Sequence, residues 1–211
     1  MTTSPTLSGL RVRPDIERTR VAAAALVIGG PASLALHVLW RVGHGTTVVN
    51  EHGVVLGLTN DEWSHLGPLW AVPVALAVAV VMGLHPGRTA RAATWLVGTG
   101  LVVGAAAAWI WPLYSLGVLA LGAGLSCLSL TLWRGRLLPR WIAGPPAVAV
   151  LALLPFAIWP DAVYAAEATV GSMNVDLTDL PVVAAALTWT TLGVALVRRS
   201  RASRPQPTAS R

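Results

Sequence analysis

The sequence predicts an all-α membrane protein: a bundle of six transmembrane helices with both termini in the cytoplasm (N-in/C-in) and a short outer β-hairpin in the first loop. Hydrophobic side chains make up 55% of the 211 residues and charged ones only 11%, whereas a soluble domain carries about 25% charged residues. Six apolar runs are long enough to cross a bilayer, and arginines concentrate in alternate connections between them. Together these observations exclude an ordinary soluble domain.

The predicted spans follow from length. Crossing about 30 Å of hydrocarbon takes about 20 helical residues. The transmembrane domain, 21–197, is predicted between a basic cytoplasmic tail at 1–20 and a disordered basic tail at 198–211. Its six spans are 21–41, 64–84, 92–111, 114–133, 141–159 and 180–197. Because only Pro112 and Leu113 separate the third span from the fourth, we expect a tight antiparallel hairpin there.

The orientation follows from the arginines. All fifteen basic residues are arginine, and the spans place fourteen of them on one side of the membrane. Cytoplasmic loops carry the excess of basic residues. The other side holds Arg41 and seven of the nine carboxylates. With an Ala-, Gly- and Arg-rich composition typical of high-GC bacteria, this predicts a multi-pass protein of the bacterial plasma membrane, whose first helix is an uncleaved signal anchor.

Local patterns predict structure in the outer loops. β-branched residues at 46–49 and 54–58 flank the turn sequence Asn50-Glu51-His52-Gly53, which predicts a hairpin. Thr59-Asn60-Asp61-Glu62 fits a capping box that would start the second helix. The fifth connection, 160–179, is expected to contain a short interfacial helix.

Small residues predict helix contacts in the membrane. Gly100 and Gly104 form one small-xxx-small pair, and Ala120 and Gly124 form another. Such pairs let helix backbones approach closely in lipid. Trp189, in the middle of the sixth span, is expected to be packed, with its indole N–H donating to a neighbouring helix or a backbone carbonyl.

The segment 36–70 concentrates the polar chemistry. It contains four of the five histidines, three carboxylates and Arg41. His37, Arg41 and His44 are spaced to share one stripe of the first helix, and Asp61 and His65 share one face at the start of the second. An antiparallel helix pair would bring these stripes together at the outer interface. The predicted ligand-binding residues are therefore His37, Arg41, His44, Asp61 and His65.

Each of these residues also has a structural interpretation. Asp61 would favour the positive end of a helix, Arg41 would snorkel to headgroups, and His44 would be a solvated loop residue. His37 lies one turn inside lipid and needs a partner in either case. His85 is expected to be a boundary histidine without a special task.

Metal and cofactor chemistry are not predicted. The loop-separated histidines lack a compact ligand motif, and the single cysteine, Cys127, excludes a cysteine cluster. No Asp, Glu, Lys or Arg lies in the middle of a span, which disfavours an ion-coupled transporter.

Two functional hypotheses remain. The first is a non-enzymatic module whose outer face binds a lipid headgroup, a small molecule or a partner membrane protein, with membrane lipids around it and no nucleic acid. The second is a membrane-embedded enzyme acting on an isoprenoid or other lipid. In the second hypothesis, His37, Asp61, His65 and Asp179 would supply acid–base chemistry at the outer interface.

The end of the first helix carries a resemblance. Leu36-His37-Val38-Leu39-Trp40-Arg41-Val42-Gly43 resembles the L-H-x-x-W-x-x-G pattern of a family of small bacterial multi-span proteins. Leu39 and Arg41 stand where that family usually has an aromatic residue and an alanine. The resemblance implies a membrane bundle and no particular activity.

Overall fold

The computed structural model describes most of the chain. It covers residues 8–45, 54–55, 57–59, 62, 65–85, 87–106, 110, 113–135, 137–158, 167–170, 173–176 and 179–202. Within these ranges, side chains are described for all residues except 8–15, 40–45, 54–55, 114, 155–158, 167–170, 173–176 and 179.

The described residues form six α-helices, one for each predicted span. They are α1 Ser8–Gly45, α2 Pro68–Gly83, α3 Arg88–Ala106, α4 Leu113–Arg134, α5 Gly144–Ile158 and α6 Asp179–Ala202. A 3₁₀ turn, Arg140–Ala143, leads directly into α5. The fold class is therefore helical, as predicted.

Three of the described helices are long and apolar enough to cross a membrane, which indicates a membrane protein. These segments are Ile16–Leu39 of α1, Ser115–Arg134 of α4 and Leu180–Ala202 of α6. α2 and α5 are apolar but contain only 16 and 15 residues, or about 24 and 22 Å of helix. α3 has 19 residues and carries Arg88 and Arg91 in its first turn.

Several helix ends differ from the predicted boundaries. α1 already begins at Ser8 and α6 continues to Ala202, so both predicted tails are partly helical. α2 begins at Pro68 rather than at residue 64, because a turn at Leu66 and Gly67 precedes it. Proline suits a first helical position, where its missing N–H would have no helical partner.

The six described helices form a closed ring. Each packs closely against the helices before and after it in the sequence, and α1 also packs against α6.

Glycines set the closest approach, between α3 and α4. A Cβ atom added to Gly100 would lie 2.5 Å from the backbone nitrogen of Leu121, and one added to Gly124 would lie 2.5 Å from that of Val97. These pairs run in opposite directions along the two helices. The antiparallel packing predicted for the third and fourth spans is therefore confirmed, and Gly100 and Gly124 lie in its interface; the link at Pro112 lies outside the described residues.

A second glycine contact closes the ring between α1 and α6. A Cβ atom on Gly30 would collide with the Thr190 hydroxyl and lie 2.6 Å from the Ala186 carbonyl oxygen. One on Gly193 would lie 2.8 Å from the backbone nitrogen of Val27. α1 and α6 are therefore antiparallel, and the beginning of α1 lies beside the end of α6.

Trp189 is the largest of the fully buried side chains. Its burial confirms that it is packed. The predicted hydrogen bond is wrong for the described part of the chain, because the indole Nε1 finds no partner there. The neighbouring Thr188 and Thr190 hydroxyls both donate to carbonyls one turn back in their own helix.

The arginines whose side chains are described gather at one end of the bundle, called here the basic end. There Arg199 donates to the Leu137 carbonyl at 2.8 Å, which joins the end of α6 to the connection after α4. His85, after α2, lies against Gly135, after α4. The arginines at this end are Arg18, Arg20, Arg88, Arg91, Arg134, Arg140, Arg198, Arg199 and Arg201.

The opposite end, where α1 ends and α2 and α6 begin, carries two β-hairpins and is called the hairpin end. In the first hairpin, β1 Val54–Val55 pairs antiparallel with β2 Leu58–Thr59. A short hairpin in this loop is therefore confirmed, but the predicted strand 54–58 is interrupted. The chain reverses between Val55 and Leu58, where Gly57 has φ 83°, a conformation that suits a residue without Cβ. The predicted strand 46–49 and the predicted turn 50–53 lie outside the described residues.

The second hairpin was not predicted. β3 Glu167–Val170 pairs antiparallel with β4 Met173–Asp176. The helix expected near Asp161 lies outside the described residues.

Two glycines of α3 provide a matched test of the close approach. Gly100→Ala is expected to destabilise the bundle by about 1–3 kcal/mol, because its methyl group overlaps the α4 backbone. A Cβ atom on Gly98 meets nothing within 4 Å, so Gly98→Ala should be neutral or stabilising by up to about 1 kcal/mol. Thermal unfolding in detergent measures both variants. Equal stability of the two would contradict the described α3–α4 interface.

Candidate functional site

The structure describes two of the predicted site residues with their side chains. His37 is half-buried on α1, and His65 is half-buried just before α2. Both residues have interactions within the molecule. Neither is therefore a freely solvated histidine.

The other predicted site residues are described less completely. Arg41 and His44 lie in the last turns of α1, and Asp179 is the first residue of α6, but their side chains are outside the described part. Asp61 lies outside the described residues altogether. Whether these side chains converge on one site stays a prediction.

Helix register nevertheless sets their levels along the bundle. Gly29 of α1 lies against Val74 of α2, and these helices are antiparallel. His37 lies eight residues after Gly29, about 12 Å along α1, and the turn before Pro68 lies eight residues before Val74. His37 is therefore level with this turn, which directly follows His65.

The same argument applies to α1 and α6. Gly30 lies against Thr190, so Arg41 is level with Asp179 at the start of α6. The predicted cation and one predicted carboxylate therefore share the hairpin end with the two histidines. α1 packs against both α2 and α6, but α2 and α6 are not among the closely packed pairs of described helices.

Before α2, the predicted capping box forms between Thr59 and Glu62. The Thr59 N–H and hydroxyl donate to Glu62 Oε2 at 2.7 and 2.9 Å, and the Glu62 N–H donates to the Thr59 hydroxyl at 3.3 Å. The turn at Leu66 and Gly67 separates this box from α2. The box is therefore followed by helical residues, as predicted, but α2 itself begins only after the turn.

These hydrogen bonds also set the charge state of Glu62. The bond from the Thr59 backbone N–H, then that from its hydroxyl, lowers the pKa of Glu62 because both donors favour the carboxylate. The charge on His65 lowers that pKa further.

Among the described residues, no group of three or more His, Cys, Asp or Glu side chains is placed to hold a metal ion.

At the basic end, His85 was expected to have no special task, yet it is 92% buried, with 8% of its surface exposed. Its Nδ1 donates to the Val81 carbonyl at 3.1 Å, while Nε2 has no hydrogen-bond partner among the described residues. The Nε2 side of the ring faces Gly135. The burial of His85 could have been predicted from its position between Gly83 and Gly87, directly after an apolar run, since small neighbours let a ring fold into the bundle.

A cavity of about 470 Å³ opens beside His85, between the end of α2 and the start of α3. Its lining includes Met82, Gly83, Arg91 and Trp95. Sequence reasoning missed this group, although Arg91 and Trp95 are four residues apart and so share a helix face.

No protein-family model, curated protein or solved structure matches the chain. The resemblance carried by residues 36–43 therefore stays a prediction.

The capping box has a testable pH dependence. A lowered pKa in the folded state means that the Glu62 carboxylate stabilises the box above the ordinary glutamate pKa, and that this stabilisation is lost as pH falls through the lowered value. We expect the Thr59 amide proton signal in NMR spectra to move towards its uncapped position over that acidic range.

Glu62→Gln is the control for that titration. Glutamine keeps a hydrogen-bond acceptor but does not titrate, so the same signal should lose its acidic transition. An unchanged transition in the variant would assign the titration to another group.

Proposed function

We propose that the chain is a six-span protein of the bacterial plasma membrane, with both termini in the cytoplasm, and that it is a non-enzymatic binding module. Its ligand would be a lipid headgroup, a small molecule or a membrane partner held at the outer face. Of these, a lipid headgroup fits best, because a half-buried His37 near the end of a lipid-exposed helix can be reached from within the bilayer.

The gathering of arginines supports the orientation. Nine arginines with described side chains lie at the basic end, and basic residues are retained on the cytoplasmic side. The hairpin end would then be the outer face. The short helices α2 and α5 would complete their crossings with the residues that flank them.

The register at the hairpin end is the observation that carries the binding proposal. His37 and His65 are level across α1 and α2, while Arg41 and Asp179 are level across α1 and α6. A lipid headgroup offers both anionic and hydroxyl groups, and its anionic group can accept hydrogen bonds from a cation and from imidazole N–H groups. The separation of α2 from α6 by α1 gives the enzyme hypothesis no comparable support.

Reporter fusions test the orientation. Reporters placed after Arg88 and after Arg140 should be active only in the cytoplasm, and reporters at His52 and Glu167 only outside. External activity after Arg140 would overturn the proposed topology.

Native mass spectrometry after mild detergent extraction tests the binding. The wild-type protein should retain a bound species. Arg41→Gln should bind that species about tenfold more weakly, and so lose it, because a hydrogen bond to a charged group is removed. Arg20→Gln, with the same charge change at the other end of α1, should retain it. A bare wild-type protein, or equal loss from both variants, would count against the outer site.

A further inference from the structure

The cavity at the basic end exists because two lining residues lack side chains. Gly83 ends α2, and a Cβ atom on it would meet nothing within 4 Å. Gly87 has φ 124°, a conformation that side chains oppose. The resulting space of about 470 Å³ is within the ordinary size of a small-ligand site, roughly 300–1,000 Å³.

Arg91 supplies the charge of this cavity. Its exposed side chain lies in the lining, and no described carboxylate forms an ion pair with it. Arg88 on the same helix and the other arginines of the basic end add to the positive potential. The cavity therefore favours an anion.

Two other polar side chains of the lining already have hydrogen-bond partners within the protein. The Thr94 hydroxyl donates to the Ala90 carbonyl at 3.1 Å. The His85 Nδ1 is bonded to Val81, and its Nε2 is buried beside Gly135. Among the described side chains, Arg91 is thus left as the donor for an anion.

The wall beyond Arg91 is apolar. Trp95 lies one turn further along α3 and is 75% exposed, while Met82 and Ala79 form the α2 side. Moving from the basic end into the bundle, the cavity thus presents a cation and then, one helical turn further, an indole, with the aliphatic groups of α2 on the opposite wall. An anionic phospholipid likewise places its phosphate outermost and its glycerol region and acyl chains deeper. A small soluble anion would leave the indole and aliphatic wall uncovered.

We propose that this cavity binds the phosphodiester headgroup of an anionic phospholipid from the leaflet at the basic end. Arg91 donates to the phosphate oxygens, and Trp95 covers the glycerol region and the start of the acyl chains. This site is separate from the proposed outer site, so either can fail without the other.

The test uses the full-length protein, delipidated in a neutral detergent, with binding measured by native mass spectrometry. Dioleoyl phosphatidylglycerol should bind to the wild type more tightly than zwitterionic dioleoyl phosphatidylcholine. Arg91→Gln should weaken phosphatidylglycerol binding about tenfold. Arg88→Gln removes an exposed arginine that does not line the cavity, and should weaken it about twofold.

A second variant tests the cavity independently of charge. Gly83→Leu places a side chain in open space, so it should abolish phosphatidylglycerol binding while the melting temperature is retained. Equal losses in Arg91→Gln and Arg88→Gln, or unchanged binding in Gly83→Leu, would overturn the proposal. Displacement of phosphatidylglycerol by millimolar inorganic phosphate would also overturn it, by identifying a site for free anions.

Discussion

The close approach of helix backbones at glycine is the constraint on which the rest of this structure depends. In a bilayer, an apolar side chain gains little by moving from lipid to a neighbouring helix, so packing must come from dense van der Waals contact. At Gly100 and Gly124 a helix meets backbone atoms of its partner, and at Gly30 and Gly193 the same holds between α1 and α6. These contacts fix helix register, and register sets the level of every polar residue at both ends.

At the basic end, arginines do more than set a charge balance. Arg199 donates to the Leu137 carbonyl, and Arg140 lies over the Trp133 ring with 5.9 Å between its Cζ and the ring centroid. A carbonyl near a helix end needs a donor, and an aromatic face attracts a cation. The same residues that orient a chain in a membrane thus also join α6, α4 and the 3₁₀ turn. Arg91, which has no such described partner, lines the neighbouring cavity and gives it its positive charge.

The sequence predicted those elements whose cause is local. Apolar length located all six helices, and Pro112 located the break between α3 and α4. The predicted strand 54–58 is interrupted in the structure because Gly57, a single glycine between apolar residues, is a weak turn signal in the sequence yet allows the chain to reverse. The β3–β4 hairpin could have been found, since Gly171-Ser172 is a favoured two-residue hairpin link between the paired residues Val170 and Met173.

The candidate sites were harder to predict because they depend on register between distant helices. The spacing of His37 and Arg41 showed a shared stripe, but only the contact of Gly30 with Thr190 places Asp179 at the same level. Likewise, nothing local to His85 shows that it folds against Gly135. The unpartnered Nε1 of Trp189 was missed for the same reason, because the sequence predicts that the indole is buried but not which atoms surround it.

Closure of the ring by the first and last helices affects how the protein is made. Gly30 and Thr190 are about 160 residues apart, and at about 5–20 residues per second the ribosome needs roughly 8–30 s to synthesise the chain between them. Throughout that time the glycine face of α1 lacks its final partner and is covered by lipid or by the insertion machinery. Assembly therefore ends with a long-range docking step, and a nascent chain interrupted before α6 keeps an open seam in the bilayer where a quality-control protease or another helix can bind.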